Sequence, residues 1–264
     1  MLIVSNKKKY YSVDKVFFAT DNIKTGGDIL NCFYSSLAPR ESLFSRIIPL
    51  FTAKTSLDNS QDDILKSFTK TVRYEISRSI KENVLVTFVR SLQMKDFEKE
   101  ITELQSYYGL FCKQNSRQFI ESFFNKNELQ KLAEKGALAY SYADTGAYKV
   151  YHVYCVDGIS SMLLFSFSFM YDKAQETTVD KGSLGRANKY LHFFDMMCLK
   201  EDGVRDYDWG GVFNPEKPNG IDKFKLSFGA QPRRVYTTYT GQSFKGKVLV
   251  LLSKIKLLFK KPAT

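Results

Sequence analysis

Apolar residues recur every three or four positions in the stretch that begins at residue 184. They are Leu184, Ala187, Leu191, Phe194 and Cys198. Because one turn of an α-helix takes 3.6 residues, this spacing places the five side chains on one face of a helix. Gly203 follows the last of them, and glycine is common just beyond the C-terminal end of a helix. The sequence therefore predicts a helix over residues 184–203.

A second run of apolar residues, spaced by four, lies in residues 62–83, "DDILKSFTKTVRYEISRSIKEN". Two aspartates stand at its start, where the partial positive charge of a helix N-terminus stabilises carboxylates. We predict one amphipathic helix here and three shorter helices at residues 96–110, 117–124 and 127–136. The apolar face of the amphipathic helix consists of Ile64, Phe68, Val72, Ile76 and Ile80.

Stretches rich in β-branched and aromatic residues predict strands at residues 84–89, 137–144, 147–157, 160–170, 204–212 and 233–241. The first sixty residues mix short apolar runs, such as "KVFFAT" and "SRIIPLF", with turn residues. Strands that alternate with single helices predict a mixed α+β fold, with a central mixed sheet flanked by helices. We expect two domains, at residues 1–135 and 136–264.

Positive charge is concentrated toward the C-terminal end of the sequence. The chain has 39 Lys and Arg against 28 Asp and Glu, and from Lys223 onward it has ten basic residues and no acidic one. Such an excess indicates an anionic partner: nucleic acid, an anionic membrane or a phosphorylated small molecule. No basic recognition helix or aromatic-basic RNA-binding pattern is present, and the charge lies beside a glycine-rich segment. We therefore favour phosphate on a small ligand and expect no DNA partner.

The sequence also predicts the compartment and the absence of a metal. No apolar run reaches the roughly 18 residues that a membrane-spanning helix needs, and the first residues lack the order of a signal peptide. The four cysteines lie far apart, and the chain has only two histidines. We expect a cytoplasmic protein with reduced thiols and no zinc or other metal site.

The segment "KGSLGRANKY", residues 181–190, is a candidate phosphate site. Gly182 and Gly185 flank the predicted start of the long helix, and Lys181 and Arg186 are close by. The N–H groups and the positive dipole end of a helix N-terminus bind phosphate, and glycine allows the phosphate to approach the backbone. The alternative is an ordinary glycine-containing turn before a helix.

Asn188, His192 and Asp195 form a polar stripe on the same long helix, at spacings of four and three. This stripe can face a cleft, where His192 can act as a base. It can equally face solvent, or hold a histidine that is satisfied inside the core.

The segment "RDYDWGGV" places Tyr207, Asp208 and Trp209 at the end of a predicted buried strand. The carboxyl ends of strands border ligand crevices in open α/β sheets, and a carboxylate there can accept a proton from an amine. The alternative role for Asp208 is to cap a tight turn. On the earlier amphipathic helix, Glu75 and Arg78 are spaced for an ordinary helical salt bridge.

The last predicted helix, "GKVLVLLSKIKLLFKKP", has an apolar face surrounded by lysines. Such a helix can lie on a membrane surface or dock on its own domain, and Leu249, Val250 and Leu257 outside the face favour docking. Weak membrane contact is the alternative. The face consists of Val248, Leu251, Leu252, Ile255, Leu258 and Phe259.

Two stretches resemble one enzyme group. "TVRYEISRSIKENV", residues 71–84, resembles the "R-x-E-I-R-R-A-x-K-E-G" segment of acyltransferases related to the Fem-type non-ribosomal peptidyltransferases, which have GNAT folds. "ANKYLHFFDMMCLKEDGVRDYDWGGV…GIDKFKLSFGAQPR", residues 187–233, is similar to their "N-x-x-L-H-W…G…Y-D-x-G-G…G-I-x-x-F-K-x-x-F-G". The GNAT cofactor loop has the form Q/R-x-x-G-x-G/A. Residues 182–187 keep its later Gly and Ala but have Gly in place of Gln or Arg.

This resemblance implies a GNAT-like fold, with two halves of which the first is degenerate, and N-acyl transfer from acyl-CoA. The implied acceptor is the amine of a nucleotide-linked (dTDP) amino-deoxy sugar, as in bacterial lipopolysaccharide O-antigen biosynthesis. The open alternatives are a Fem-like peptidyltransferase that uses aminoacyl-tRNA and a non-catalytic basic module that docks on a membrane.

The resemblance also leads us to assign roles to residues. We expect Asp208 and His192 to handle the amine proton and Asn188 to position the substrate. The pyrophosphate of coenzyme A is expected on Lys181, Gly182, Gly185 and Arg186. The residues expected to contact the substrate are Arg73, Glu75, Tyr207, Trp209, Lys223, Lys225 and Arg233.

Overall fold

The computed structural model describes residues 1–19, 23–120, 124–171 and 181–258, and the side chains of Lys181 and Leu258 lie outside this description. The strands are β1 Leu2–Lys7, β2 Ser12–Phe17, β3 Ile29–Ser35, β4 Ser45–Ser56, β5 Leu85–Arg90, β6 Leu138–Asp144, β7 Tyr148–Val156, β8 Ser160–Met170, β9 Asp206–Val212 and β10 Gln231–Gly241. The α-helices are α1 Gln61–Ser67, α2 Lys70–Lys81, α3 Phe97–Gln114, α4 Lys126–Glu134, α5 Lys181–Glu201, α6 Gly220–Leu226 and α7 Phe244–Leu258.

The chain divides into two compact units. Unit 1 consists of Met1–Thr52, Gly211–Asp222 and Pro232–Thr264, and unit 2 of Ala53–Gly210 and Lys223–Gln231. The domain boundary predicted at residue 135 falls between α4 and β6, inside unit 2. The existence of two GNAT-like halves stays a prediction.

Unit 1 contains a mixed sheet and the last helix. β1 pairs with β2 and β10 with β3 in antiparallel fashion, whereas β2 and β3 are parallel. On α7, Val250 is buried. The helix therefore docks on unit 1, as the sequence favoured, but not through its predicted apolar face, which is exposed at Val248, Leu252 and Ile255. Phe259 lies outside the described residues.

Unit 2 is built on the consecutive strands β5 to β9. β5, β6, β7 and β8 pair in antiparallel order, and β9 pairs with β8 in parallel. Neighbouring side chains of a strand point to opposite faces. Val150 of β7 packs against Ala187 and Leu191 of α5, whereas Tyr151 stacks on Tyr107 of α3. The helices α5 and α3 therefore cover opposite faces of this sheet.

β8 and β9 separate soon after they meet. Among the described residues their pairing covers only Ser160–Met162 and Asp206–Asp208, although both strands continue. Gly210 has a φ of +71°, a conformation that residues with a side chain rarely adopt. The β9-facing edge of β8 beyond Met162 has no strand partner in the described structure. At its far end, Gln114 bonds the backbone N–H and carbonyl of Met170.

The helix predicted over residues 62–83 is two helices. Phe68 is extended, with φ −75° and ψ 150°, and the side chain of Thr69 accepts a hydrogen bond from the N–H of Val72 to begin α2. The extended backbone still buries Phe68 against Phe193 and Phe228. A spacing of four therefore persists across the break, and periodicity alone does not reveal it.

The other sequence predictions of elements have mixed outcomes. Residues 117–120 are not helical, which contradicts the short helix predicted there, and residues 121–123 lie outside the described part of the chain. The helices predicted near residues 96–110 and 127–136, and all six predicted strands, are confirmed within a few residues. The fold class, a mixed α+β fold with mixed strand pairing and flanking helices, is also confirmed. No helix of the described residues is long and apolar enough to cross a membrane.

Candidate active site

The polar stripe of α5 faces the sheet of unit 2 and is largely buried. His192 and Asp195 are buried on α5, and His152 and Tyr154 project toward them from β7. Tyr207 of β9 completes the cluster and is also fully buried. Placing this many polar groups in the core is costly unless each finds a partner.

Short hydrogen bonds connect the members of this cluster. Nδ1 of His152 lies 2.7 Å from Oδ2 of Asp195, and the hydroxyl of Tyr154 donates to the same oxygen at 2.5 Å. The hydroxyls of Tyr154 and Tyr207 are 2.8 Å apart, and Nδ1 of His192 lies 2.7 Å from the hydroxyl of Tyr207. The result is a continuous chain from His152 to His192.

Counting the available protons fixes which group donates and which accepts in each hydrogen bond of this series. Tyr154 has a single proton and donates it to Asp195, so Tyr207 must donate to Tyr154. Because the proton of Tyr207 is then used, Nδ1 of His192 must donate to Tyr207. In a neutral imidazole the other ring nitrogen then carries the lone pair. Nε2 of His192 is therefore an acceptor that is free of a proton.

The second nitrogen of His152 indicates a buried ion pair. Nε2 of His152 lies 2.8 Å from Oδ1 of Asn188, which can only accept. Since Nδ1 faces Asp195, both ring nitrogens of His152 lie against oxygen acceptors, an arrangement that suits an imidazolium beside a carboxylate. Oδ1 of that carboxylate is buried without a hydrogen-bond partner among the described residues. Oδ1 of Asp195 is thus an acceptor that the described network does not use.

The surroundings keep His192 neutral and the tyrosines protonated. Burial lowers the pKa of His192 well below 6.5, and the positive charge of His152, whose ring is stacked at 3.9 Å, lowers it further. Burial, and then the charge of Asp195, raise the pKa of Tyr154 and of Tyr207 well above 10.0. These shifts favour the same protonation pattern that proton counting gives.

Aromatic rings enclose the remaining sides of His192. Trp209 lies 4.5 Å away between ring centroids, and Phe224 and Phe228 lie at 5.6 and 5.7 Å. Trp209 is itself fixed by a hydrogen bond of 3.0 Å from its Nε1 to the hydroxyl of Thr55. The imidazole is thus held in one orientation.

His152, His192 and Asp195 each offer a ligand atom within 4.8 Å of the others, a distance that would suit a metal ion. In the structure, however, Nδ1 of His152 and Oδ2 of Asp195 bond to each other. A bound metal ion would have to replace this hydrogen bond and would interrupt the series of hydrogen bonds that continues through Tyr154. We therefore interpret the cluster as a proton network.

Asp208 does not join the network. Tyr207 and Trp209 both contact His192, so alternation along β9 directs the intervening Asp208 to the opposite face of the sheet. Its Oδ1 accepts a hydrogen bond of 2.8 Å from the N–H of Gly210. This contact corresponds to the turn-capping alternative, and the proton-transfer role of Asp208 stays a prediction.

The residues predicted to bind a pyrophosphate do not form the predicted loop before a helix. α5 already begins at Lys181, so Gly182 and Gly185 lie inside its first turns, and the expected loop over residues 182–187 was wrong. Arg186 is buried and forms two hydrogen bonds with Glu82, at 2.8 and 3.1 Å. The adjoining surface pocket of about 630 Å³ is lined by acids as well as cations. The side chain of Lys181 lies outside the described residues.

The predicted substrate residues are dispersed. Arg73 donates to the carbonyls of Lys66 and Phe68 at the end of α1. Glu75 pairs with Lys189 at 2.9 Å, rather than with Arg78, which pairs with Glu82. Of the remaining predicted residues, Tyr207 and Trp209 lie in one cluster with His192 and Asn188, and Lys225 of α6 is near enough for its charge to lower the pKa of His192. Lys223 also lies on α6, and Arg233 is exposed on β10.

Sequence reasoning missed His152 and Tyr154. Both lie on β7, two positions apart and therefore on one face of the strand. A histidine and a tyrosine at this spacing, in a strand whose residues from 150 onward are otherwise apolar or aromatic, are the signal that could have revealed them. For His152, this position on the strand is the feature of the sequence that points to the site.

Comparisons with known proteins show the fold. No protein-family model and no curated protein matches the sequence. The structure is similar to FemX, with a TM-score of 0.54, 12% identity and coverage of 80% of this chain and 64% of that one. It is also similar to the C-terminal domain (DUF2156) of a putative lysylphosphatidylglycerol synthetase from Agrobacterium fabrum, with a TM-score of 0.51, 12% identity and coverage of 97% and 85%.

At such low identity these similarities concern the fold and not the reaction. The chain spans less than two thirds of the length of FemX. The fold that they share with this protein is the GNAT-like mixed α+β fold predicted from the sequence.

Proposed function

We propose that the protein is an acyltransferase that moves an acyl group from a carrier onto an amine. The observation that carries this proposal is the buried hydrogen-bond chain that ends on Nε2 of His192. An amine must lose a proton to become an acyl amide, and a neutral imidazole with a defined tautomer is suited to accept it. The GNAT-like fold supports the same class of reaction.

In this mechanism the amine nitrogen attacks the carbonyl carbon of the donor, and a C–N bond forms. The side chain of His192 is only 1% exposed, so the amine reaches Nε2 once the surrounding rings move aside. His192 then accepts the amine proton on Nε2, and its Nδ1–H stays bonded to Tyr207. The ionised Asp195, reached through the two tyrosine hydroxyls, stabilises the imidazolium that results. The C–S or C–O bond of the donor then breaks, and the proton passes to the leaving group.

The free edge of β8 is suited to hold the acyl donor. Beyond Met162 its backbone groups on the β9 side have no strand partner in the described structure, and backbone N–H groups stabilise the oxyanion of a tetrahedral intermediate. A pocket of about 590 Å³ adjoins the end of this edge. Uncharged residues line it, Ser168 to Met170 of β8 and Leu184 of α5 among them.

For donor and acceptor we retain acyl-CoA and a nucleotide-linked amino sugar, as the sequence resemblance implies. The alternative is an aminoacyl-tRNA donor, and a specific observation favours keeping it. Arg186, expected to bind the pyrophosphate of coenzyme A, is bonded to Glu82. The two donors differ in their leaving group, a thiol in one case and a ribose hydroxyl in the other.

The test is a product assay with a panel of acyl-CoAs and nucleotide-linked amino sugars, read by thiol release and mass spectrometry. We expect wild-type protein to form an N-acyl product and His192→Gln to lower kcat by about 10²- to 10⁴-fold. Tyr207→Phe removes the hydroxyl that orients His192 and should also lower kcat. Tyr74→Phe, at an exposed position of α2, serves as the matched control.

Asp208→Asn separates the two candidate proton acceptors. If His192 is the base, this variant should keep most of the activity, provided that its thermal unfolding is unchanged. Full activity of His192→Gln together with a loss in Asp208→Asn would overturn the assignment to His192.

A further inference from the structure

The exposed side of α7 carries a continuous apolar stripe. Its members are spaced by four, four and three residues, which places them along one face of the helix. This regular line differs from the singly scattered apolar residues that are normal on protein surfaces. The stripe consists of Phe244, Val248, Leu252 and Ile255, with exposed fractions of 84, 40, 56 and 40%.

The opposite side of α7 is fixed to unit 1. Val250 is buried, and the backbone at Gly246 packs so closely on the carbonyl of Asp28 that a Cβ there would overlap it. Ser243 begins the helix, since its hydroxyl accepts from the N–H of Gly246 and donates to the Asp28 carboxylate at 2.6 Å. The stripe is thus presented outward by a helix that cannot rotate to bury it.

Lysines flank the stripe on both sides. At 100° per residue, Lys245 and Lys256 fall along one border, and Lys247 and Lys254 along the other. No acidic residue lies in α7 or elsewhere after Lys223. Long lysine side chains can rest beside an apolar surface while their ammonium groups reach the phosphates above it.

We propose that α7 binds the surface of an anionic membrane, with its apolar stripe inserted among the lipids and its lysines on the head groups. An in-plane helix of this kind combines apolar burial with attraction to negative lipids. The charge decides between possible occupants, because a second copy of this cationic helix would be repelled by the first. This inference does not depend on the proposed acyl transfer.

The neighbouring surface extends the same character. Leu43 is exposed and, with Arg46, Lys254 and Leu257, lines an open pocket of about 740 Å³ beside α7 within unit 1, to which Glu41 adds one carboxylate. The ammonium of Lys254 donates to the carbonyl of Ser42 at 3.1 Å, which fixes this cation next to the apolar residues. Apolar and cationic groups thus also occur beside α7 away from the stripe.

The experiment is sedimentation of the full chain with vesicles of phosphatidylcholine alone or mixed with phosphatidylglycerol. We expect binding to the mixed vesicles that weakens as the salt concentration rises. The double variant Val248→Ser, Leu252→Ser should bind at least tenfold more weakly. Ile159→Ser, an exposed apolar position of unit 2, is the matched control and should bind like wild type.

A second pair of variants tests the charge. Lys245→Gln with Lys256→Gln should weaken binding to anionic vesicles by about 30-fold. Lys70→Gln with Lys81→Gln removes the same charge from exposed positions of α2 and should leave binding unchanged. All substituted positions are at the surface, and circular dichroism should give the wild-type spectrum.

Two outcomes would overturn the proposal. One is equal sedimentation of wild-type protein and the Val248→Ser, Leu252→Ser variant. The other is a dimer in analytical ultracentrifugation that the same variant converts to a monomer, without vesicle binding by either, which would identify a second copy as the occupant.

Discussion

Hydrogen bonding distinguishes the two histidines of the buried network. Both ring nitrogens of His152 face oxygen acceptors, on Asp195 and Asn188, which favours its charged form. Among the described residues His192 has a single hydrogen-bond contact, with Tyr207, and it lies beside aromatic rings, so burial favours its neutral form. The two stacked imidazoles thus differ in their hydrogen-bond partners.

The neutral state of His192 predicts a pH dependence of stability. The pKa of His192 in the folded protein is lowered below the ordinary 6.5. Just below pH 6.5 its imidazole is therefore protonated in the unfolded chain but stays neutral in the folded protein. The free energy of unfolding should therefore fall as the pH decreases from 6.5, by up to about 1.4 kcal/mol per pH unit.

Urea unfolding at pH 7.5 and pH 5.0 measures this effect. The variant His192→Gln lacks the titrating group, and its loss of stability between the two pH values should be smaller by about 2 kcal/mol. Equal losses in both proteins would mean that His192 is protonated in the folded state.

The ion pair of His152 and Asp195 predicts strong coupling. His152→Gln leaves a buried carboxylate without its cation and should lower the free energy of unfolding by about 3–5 kcal/mol. The double variant His152→Gln, Asp195→Asn removes both charges and should cost less than the sum of the single variants. Additive costs in chemical denaturation would contradict the ion pair.

At the scale of elements, α5 performs two tasks at once. Its apolar positions Ala187 and Leu191 pack on β6 and β7, and its polar stripe supplies His192 and Asp195 to the network. Arg186 ties the same helix to Glu82 just beyond α2. The helix is thus fixed on three sides, which keeps the imidazole of His192 in register with β9.

Two glycines at helical positions should respond oppositely to alanine. A Cβ at Gly185 of α5 would meet only the Lys189 ammonium, at 3.8 Å, so Gly185→Ala should raise the free energy of unfolding by about 0.5–1 kcal/mol. Gly246→Ala on α7 would overlap the backbone of Asp28 and should be destabilising. Thermal unfolding of both variants checks this contrast.

The same variant tests the cofactor role predicted for Gly185. If no phosphate approaches this position, Gly185→Ala should leave the KM for acyl-CoA unchanged. An increase of tenfold or more in a protein of equal or greater stability would place the pyrophosphate at Gly185 after all.

At the scale of the whole molecule, the net charge of +11 arises from one region. The ten basic residues from Lys223 onward account for nearly all of it, and the rest of the chain is almost neutral. Such a distribution attracts any polyanion in a salt-dependent way. Binding of tRNA is therefore expected whether or not tRNA is a substrate.

The donor can be identified by combining salt dependence with turnover. Binding of tRNA that carries no amino acid, measured by filter binding, should weaken steeply between 50 and 200 mM salt, as expected for contacts with phosphates alone. Turnover of acyl-CoA should persist over this range and release thiol. Transfer from aminoacyl-tRNA at 200 mM salt, without turnover of any acyl-CoA, would favour the Fem-like alternative.

The sequence by itself determined most elements and the fold class, because these depend on local spacing. The periodicity of α5, the apolar strands β6 to β8 and the cluster of positive charge can all be recognised without coordinates. It also predicted that Asn188, His192 and Asp195 share one face of a helix, because residues spaced by three and four do so.

Only the tertiary structure decided which groups meet. His152 lies 43 residues from Asp195, and the two side chains form a hydrogen bond because α5 packs onto β7. The packing of α5 beside the end of α2 likewise bonded Arg186 to Glu82, 104 residues away. Spacing along the chain specifies the face of an element, but contacts between elements arise from the three-dimensional burial of those faces, which no local pattern encodes.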